Sequence, residues 1–125
     1  MIKKSLLLLS GALLLTGCQA TLTNLTPLTQ VRNTNNLYQV EVAMVSRQQT
    51  LRWESVNAQI VVGQDAYPMR ATELMTNRWE GLLPIPTGKN VVRYHYKLDY
   101  KYNTFGKPQP DSAVSREYEL KIVDK

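Results

Sequence analysis

The sequence contains little of what catalytic and metal sites usually require. Its 125 residues include one cysteine and one histidine, and its six glycines are scattered singly, so no glycine-rich phosphate loop is present. A single cysteine excludes a disulfide within the chain. His95 lies between Arg93 and Lys97 on the polar side of an alternating segment. Because two cations would repel a metal ion there, we expect a solvated surface histidine and no metal site.

Carboxylates and nucleophiles form no recognisable motif either. No Asp or Glu stands beside a candidate nucleophile in a known catalytic pattern. The acidic residues that could pair only across the fold are Asp65, Glu73, Glu80 and Asp99. Nothing in the sequence indicates that any two of these carboxylates lie at the separation that glycoside hydrolysis requires. We therefore predict a non-catalytic protein without a metal or cofactor.

Positive charge is spread evenly along the chain. The formal net charge is +5, but Lys3 and Lys4 lie in the N-terminal segment considered next, and without them it falls to +3. No cluster of Lys and Arg follows any predicted element, as a nucleic-acid-binding surface would require. The charge pattern therefore predicts no nucleic-acid partner.

The first eighteen residues are the most informative part of the chain. Lys3 and Lys4 precede an apolar run over residues 6–15, and Leu15-Thr16-Gly17-Cys18 follows. This order is typical of a secretory signal peptide. The run is shorter than the about 20 apolar residues that a membrane span needs. A retained signal anchor is the alternative interpretation of the same stretch.

The tetrapeptide that ends at Cys18 resembles the lipobox of bacterial lipoproteins. The resemblance implies a diacylglycerol on the Cys18 thiol, cleavage after Gly17, and a fatty acid such as palmitate on the new amino terminus. Two or more acyl chains anchor a protein stably to a membrane. In enterobacterial lipoproteins, Asp after the lipidated cysteine is typical of retention at the inner membrane. Gln19 stands at this position, so the resemblance implies the outer membrane of the cell envelope.

From Leu37 onward apolar residues recur with a period of two, which is typical of half-buried strands. The predicted strands cover residues 37–45, 56–62, 66–69, 78–85, 91–103 and 117–123. Residues 71–75 are the one candidate helical turn, and residues 106–111, with two prolines, are predicted to be a loop. Pro84 and Pro86 confine the strand at 78–85 to an edge or to the end of a pairing.

The pattern divides the chain into three parts. Residues 1–17 are predicted to be the signal peptide, residues 18–36 a lipidated tether with a candidate first strand that stops at Pro27, and residues 37–125 the folded domain. A flexible stalk over residues 19–30 is the alternative to the first strand. Six or seven short strands without a disulfide predict a single antiparallel β-sandwich of immunoglobulin-like type. A small open barrel is the main rival.

Aromatic residues supply one candidate contact surface. The side chains of Tyr94 and Tyr96 are expected in the core. A strand over residues 91–103 would be about 40 Å long, which exceeds a sandwich of this size. Either one end overhangs the core, or a bulge or break near Leu98 splits the run into two packed strands. An overhang would expose aromatic residues to a ligand or partner; the candidates for such contact are Trp53, Trp79, Tyr100, Tyr102 and Phe105.

A second resemblance concerns the fold and a ligand. Residues 78–86 and 92–98, with Trp79 in the first strand and Tyr94-His95-Tyr96-Lys97 in the second, look like the second half of starch- and glycogen-binding sandwich modules. The resemblance implies a β-sandwich. Trp79 alone maps onto the aromatic residues that stack on glucose in that family.

These observations together predict a membrane-anchored lipoprotein of the cell envelope that acts as a non-catalytic binding or structural module. Its partners would be the membrane, through the lipid, and an envelope protein, which could contact sheet edges broken near Pro27 and Pro84. The alternative is a surface lipoprotein that binds glycans through exposed aromatic residues.

Overall fold

The computed structural model describes residues 20–124, and this part of the chain contains ten strands and no helix. The strands are β1 (Ala20–Asn24), β2 (Thr29–Val31), β3 (Leu37–Ser46), β4 (Leu51–Val62), β5 (Asp65–Pro68), β6 (Arg70–Ala71), β7 (Arg78–Pro84), β8 (Val91–Tyr102), β9 (Gln109–Val114) and β10 (Tyr118–Val123). The predicted signal peptide, Cys18 and Gln19 lie outside the described residues.

The strands form two sheets. The first has the order β1-β3-β7-β6, and the second has the order β2-β10-β8-β4-β5, with β9 also paired to β8. β9 and β10 follow one another along the same edge of β8, opposite its residues 97–102 and 91–94 respectively. All pairs are antiparallel except β2 with β10.

The strand order is that of an immunoglobulin-like β-sandwich. Immunoglobulin domains place strands A, B, E and D in one sheet and G, F, C and C′ in the other. β1, β3, β7 and β6 take the first four positions, and β10, β8, β4 and β5 take the second four. The predicted fold class is confirmed. The count exceeds six or seven because three further strands form: β2 in the predicted tether, β6 at the start of the candidate helical turn, and β9 in and after the predicted loop.

The core lies between the two sheets and follows the predicted alternation. Its eighteen buried residues are Tyr38, Val40, Val42, Met44, Leu51, Ala58, Ile60, Trp79, Leu83, Ile85, Val92, Tyr94, Tyr96, Leu98, Tyr100, Ala113, Leu120 and Ile122. No cysteine is among them, so the sheets are held together without the inter-sheet disulfide found in antibody domains. Burial of large apolar and aromatic side chains takes its place.

Three local predictions were wrong. Residues 71–75 form a non-helical turn, in which the Met75 amide donates to the Thr72 carbonyl at 3.1 Å. Part of the predicted loop at 106–111 belongs to β9, which contains Pro110 and pairs on one side only, with β8. β8 is continuous at Leu98, and the irregularity occurs instead on its partner β4, between Arg52 and Asn57.

The irregularity on β4 is a bulge of residues 53–56. Arg52 pairs with Lys101 and Asn57 pairs with Asp99, so four residues of β4 face one residue of β8. The Ser55 hydroxyl accepts a hydrogen bond from the Lys101 amide at 2.8 Å and donates one to the Arg52 carbonyl at 2.6 Å. The side chain thereby replaces the ladder bonds that the bulge interrupts. β4 pairs with β8 on both sides of the bulge, and Leu51 still pairs with Tyr102 at the end of β8. β8 therefore does not overhang the core.

Gly81 allows the chain to cross from the second sheet to the first. Met69 lies at the crossing, and its amide still donates to the Ala58 carbonyl of β4 at 2.9 Å. A Cβ atom at Gly81 would lie 3.1 Å from Met69 Cγ, 3.1 Å from Ile60 Cδ1 and 3.2 Å from the Pro68 carbonyl oxygen. The absence of a side chain at position 81 therefore makes room for the crossing segment.

We predict that Gly81→Val lowers the free energy of unfolding by about 1–3 kcal/mol, because the new side chain would overpack this crossing. Chemical denaturation of the purified protein would measure the change. Leu82→Thr is the matched control, since the neighbouring side chain is half exposed and points to the other face. Equal stability of Gly81→Val and the wild-type protein would contradict the packing described here.

Candidate functional site

The chain enters the sandwich at one end, which we call the Ala20 end. β1 begins at Ala20, opposite Ser46 at the end of β3. Three loops lie at this end, namely residues 47–50, 72–77 and 103–108. The Met44 amide donates to the Asn77 carbonyl, and the Asn103 amide donates to the Thr50 carbonyl, both at 2.9 Å. These bonds tie the loops to one another and to the strands beside β1.

Residues 20–31 are strands of the sandwich and not a stalk ahead of it. β1 pairs with β3 over five residues, and β2 pairs with β10 over three. Cys18 precedes β1 by two positions in the sequence, with Gln19 alone between them. A lipid on Cys18 would therefore be attached directly beside the Ala20 end.

The predicted aromatic overhang is not formed. Tyr100 is 3% exposed and Trp79 is 4% exposed, so both belong to the core and neither offers a contact surface. The burial of Tyr100, together with the nearby Asp111 carboxylate, raises the pKa of its hydroxyl, which donates to Asp111 Oδ2 at 3.4 Å. Tyr102 is half buried, and only Phe105, in the loop after β8, is fully exposed.

Trp53 covers the Ala20 end of the core. The bulge on β4 carries it, and its ring stacks on Trp79 with centroids 6.3 Å apart and an interplanar angle of 18°. Trp53 retains 37% of its accessible surface. One face of its ring is therefore used to close the core, and the remainder is open to solvent. The structure brings Trp53 and Trp79 together, a contact that their separation in sequence did not indicate.

Two large apolar side chains project fully from loops at the Ala20 end. Leu74, in the loop before β7, is 98% exposed, and Phe105, in the loop after β8, has no measurable burial. Gly106 follows Phe105 with a φ of 115°, a conformation that favours glycine. Sequence analysis singled out Phe105 and missed Leu74, because residues 71–75 were interpreted as a helical turn.

Leu74 also has an unfavourable backbone conformation. Its φ is 67°, in the left-handed region that costs most residues other than glycine about 1–2 kcal/mol. A bulky, nearly fully exposed leucine in this conformation stabilises neither the turn nor the core. Such strain at an exposed position is a reason to look for a function of the side chain.

We predict that Leu74→Asn raises the free energy of unfolding by about 1 kcal/mol, because asparagine tolerates the left-handed conformation and no buried contact is lost. Phe105→Asn serves as control: it also removes an exposed apolar side chain at this end, and should change stability by no more than about 0.5 kcal/mol. Denaturant titration of both variants provides the comparison. Destabilisation by Leu74→Asn would show that the leucine supports the fold.

Buried tyrosine hydroxyls attach the end of β1 to the second sheet. The Tyr96 hydroxyl donates to Asn24 Oδ1 at 2.6 Å and lies 3.0 Å from the Thr26 hydroxyl, while Asn24 Nδ2 donates to the Tyr94 hydroxyl at 3.1 Å. The Thr26 hydroxyl in turn accepts from the Glu41 amide of β3 at 2.9 Å. Burial raises the pKa of Tyr96 far above its ordinary value, so it stays neutral.

We predict that Tyr96→Phe lowers the free energy of unfolding by about 1–3 kcal/mol, because buried polar groups of Asn24 and Thr26 would lose a partner. The control is Tyr118→Phe, whose half-buried ring lies 5.9 Å from the Tyr96 ring. Thermal and denaturant unfolding of both variants measure the effect. Equal losses in the two variants would contradict a specific role for the Tyr96 hydroxyl.

The described residues also contain open clefts but no metal-binding group. A cleft of about 530 Å³ lies where β5 and β6 pass β7, lined by Tyr67, Pro68, Met69, Arg70, Glu80 and Leu82 among others. Between residues 20 and 124, no three His, Cys, Asp or Glu side chains are grouped to hold a metal ion. His95 is half buried on the outer face of β8. Within the same range, no helix could cross a membrane.

Comparison with known proteins adds little to this description. No family model matches the chain, and no curated protein does. Among solved structures, the chain is similar to murine CRIg, with 9% sequence identity and a TM-score of 0.45. The similarity covers 83% of this chain and 98% of the other.

Proposed function

We propose that the protein is a lipid-anchored component of the cell envelope, held on the outer membrane through Cys18, and that its sandwich is a non-catalytic binding or structural module of an envelope assembly. The lipobox-like tetrapeptide supports the anchor. The position of β1 supports the arrangement, since consecutive Cα atoms are about 3.8 Å apart and Ala20 can be no more than about 8 Å from Cys18. The lipid would hold the sandwich at the membrane surface.

This short connection is the observation that carries the proposal. Lipoproteins that must reach a distant partner need a long linker, whereas a chain with one intervening residue keeps its domain against the bilayer. The module would therefore act at the membrane surface. Its partner would bind the sides or the outer end of the sandwich, where the cleft beside β6 and the half-exposed Leu82 are accessible.

The glycan-binding alternative receives less support from the geometry. Its aromatic candidates included Trp79 and Tyr100, and both are buried. Trp53 uses one face of its ring to cover Trp79. Stacking on a sugar requires an exposed, flat aromatic face. Tyr94, Tyr96 and Tyr100 of β8 instead lie in the core of the sandwich.

We predict that the mature protein begins at Cys18, carries acyl chains and sediments with outer membranes, and that Cys18→Ser loses both the lipid and the membrane association. Fractionation and mass spectrometry of the full-length chain measure both properties. Thr16→Ser is the control, because it keeps a small residue in the tetrapeptide and leaves the thiol in place. A wild-type N-terminal peptide without lipid would refute the anchor.

The same detergent extract tests the second half of the proposal. Affinity purification of the acylated wild-type protein is expected to bring one envelope protein in near-stoichiometric amount. Acylated protein that arrives alone after cross-linking would contradict the role in an assembly while leaving the anchor intact.

A further inference from the structure

Loops at the two ends of the sandwich differ in their apolar content. At the Ala20 end, Leu74 and Phe105 are the two most exposed large apolar residues between positions 20 and 124. At the opposite end, the loops of residues 32–36, 63–64 and 86–90 contain no exposed large apolar residue, and those in the adjoining segments are less exposed, with Leu28 at 74% and Val31 at 52%. Single exposed apolar residues are ordinary on protein surfaces. Two nearly fully exposed ones in loops at the same end, one of them with an unfavourable φ, are more than that expectation explains.

The position of these loops relative to Cys18 identifies what they meet. Ala20 is at most about 8 Å from Cys18. The loop of residues 72–77 adjoins β7, two strands from β1 in the same sheet, and neighbouring strands are about 4.8 Å apart. The loop of residues 103–108 follows β8 in the facing sheet, and packed sheets are about 10 Å apart. Both tips are therefore close to the point at which a lipid on Cys18 would enter the bilayer.

We propose that the Ala20 end docks on the lipid surface, with the side chains of Phe105 and Leu74 inserted at the boundary between headgroups and acyl chains. This inference rests on the proposed lipid anchor at Cys18 and adds an orientation to it. A tether of one residue gives the loops a high effective concentration at the membrane. The inserted state of the two apolar side chains would therefore be populated even if their affinity for the bilayer is weak.

Exposed cations and a tryptophan at this end suit the same surface. Arg47, in residues 47–50, and Lys107, in the loop of Phe105, are exposed where anionic headgroups would attract them, and they offset the exposed Glu54 and Glu73. Trp53 lies at the start of β4 with part of its ring open. Tryptophan favours the membrane interface, where its apolar body and its polar N–H are both accommodated. The β4–β5 turn, which contains Gln64, would then face away from the membrane.

Introduced cysteines test this orientation in the full-length, acylated protein. The Cys18 thiol is consumed by the lipid, so a second cysteine would be the only thiol available for a fluorescent label. Phe105→Cys and Leu74→Cys place the label at the two loop tips, and Gln64→Cys places it at the opposite end. Each protein is reconstituted into vesicles of phosphatidylethanolamine and phosphatidylglycerol that carry nitroxide groups at shallow or deep positions.

We predict that labels at positions 105 and 74 are quenched several-fold more by nitroxide lipids than the label at position 64. The depth calculated from the two nitroxide positions should be about 5–10 Å into the interface. An aqueous quencher should show the reverse order. Because both loop positions are fully exposed, neither cysteine should disturb folding.

Other outcomes separate the two proposals. In acylated protein, the labels at positions 105 and 74 could respond to the aqueous quencher as strongly as the label at position 64. That result would overturn the docking and leave the anchor intact. Labels shielded from both quenchers would mean that protein covers the loops, which also overturns the docking. A mass spectrum without acyl chains would overturn the anchor and the docking together.

Discussion

The Tyr96 hydroxyl joins the two sheets at the point where the chain passes from one to the other. It lies in the core, donates to Asn24 and contacts Thr26, whose hydroxyl continues to the backbone of β3. In an apolar interior each of these polar groups must find a partner, because leaving one unpaired costs more than a net hydrogen bond contributes. The end of β1 therefore has one well-defined position.

The position of β1 decides how the rest of the molecule would face a membrane. β1 starts two residues after Cys18, so the rigid attachment of its far end leaves little freedom between the proposed lipid and the sandwich. A long linker would make the direction of the sandwich independent of the anchor. Under the proposed anchor, the short connection to β1 would instead give the sandwich one orientation, with Leu74 and Phe105 on the side of the bilayer.

Much of the fold follows from the period of two in the sequence. The alternation in β3 and β8 predicted their inward faces, because a strand with one buried face must place every second side chain in the core. The alternative in which β8 overhangs the core and exposes Tyr100 was wrong, because it rested on strand length alone. The bulge on β4 lets β4 and β8 stay paired on both sides of it. It depends on a hydrogen bond from the Lys101 amide to the Ser55 hydroxyl, and the alternation of apolar and polar residues does not indicate such a bond. β9 was missed because Pro108 and Pro110 are typical of loops, yet a proline is tolerated where a strand lacks a second neighbour.

The candidate site was less predictable than the fold. Phe105 stood out as an aromatic residue in a polar loop, whereas the conformation of Leu74 and the contact of Trp53 with Trp79 depend on tertiary packing. Hydrogen exchange of the acylated protein on vesicles, compared with Cys18→Ser in solution, tests the resulting account most directly. We expect slower amide exchange in residues 72–77 and 103–108 on vesicles, with residues 86–90 unchanged. If vesicles changed amide exchange by the same factor in all three loops, or slowed it only in residues 86–90, the docking would be contradicted.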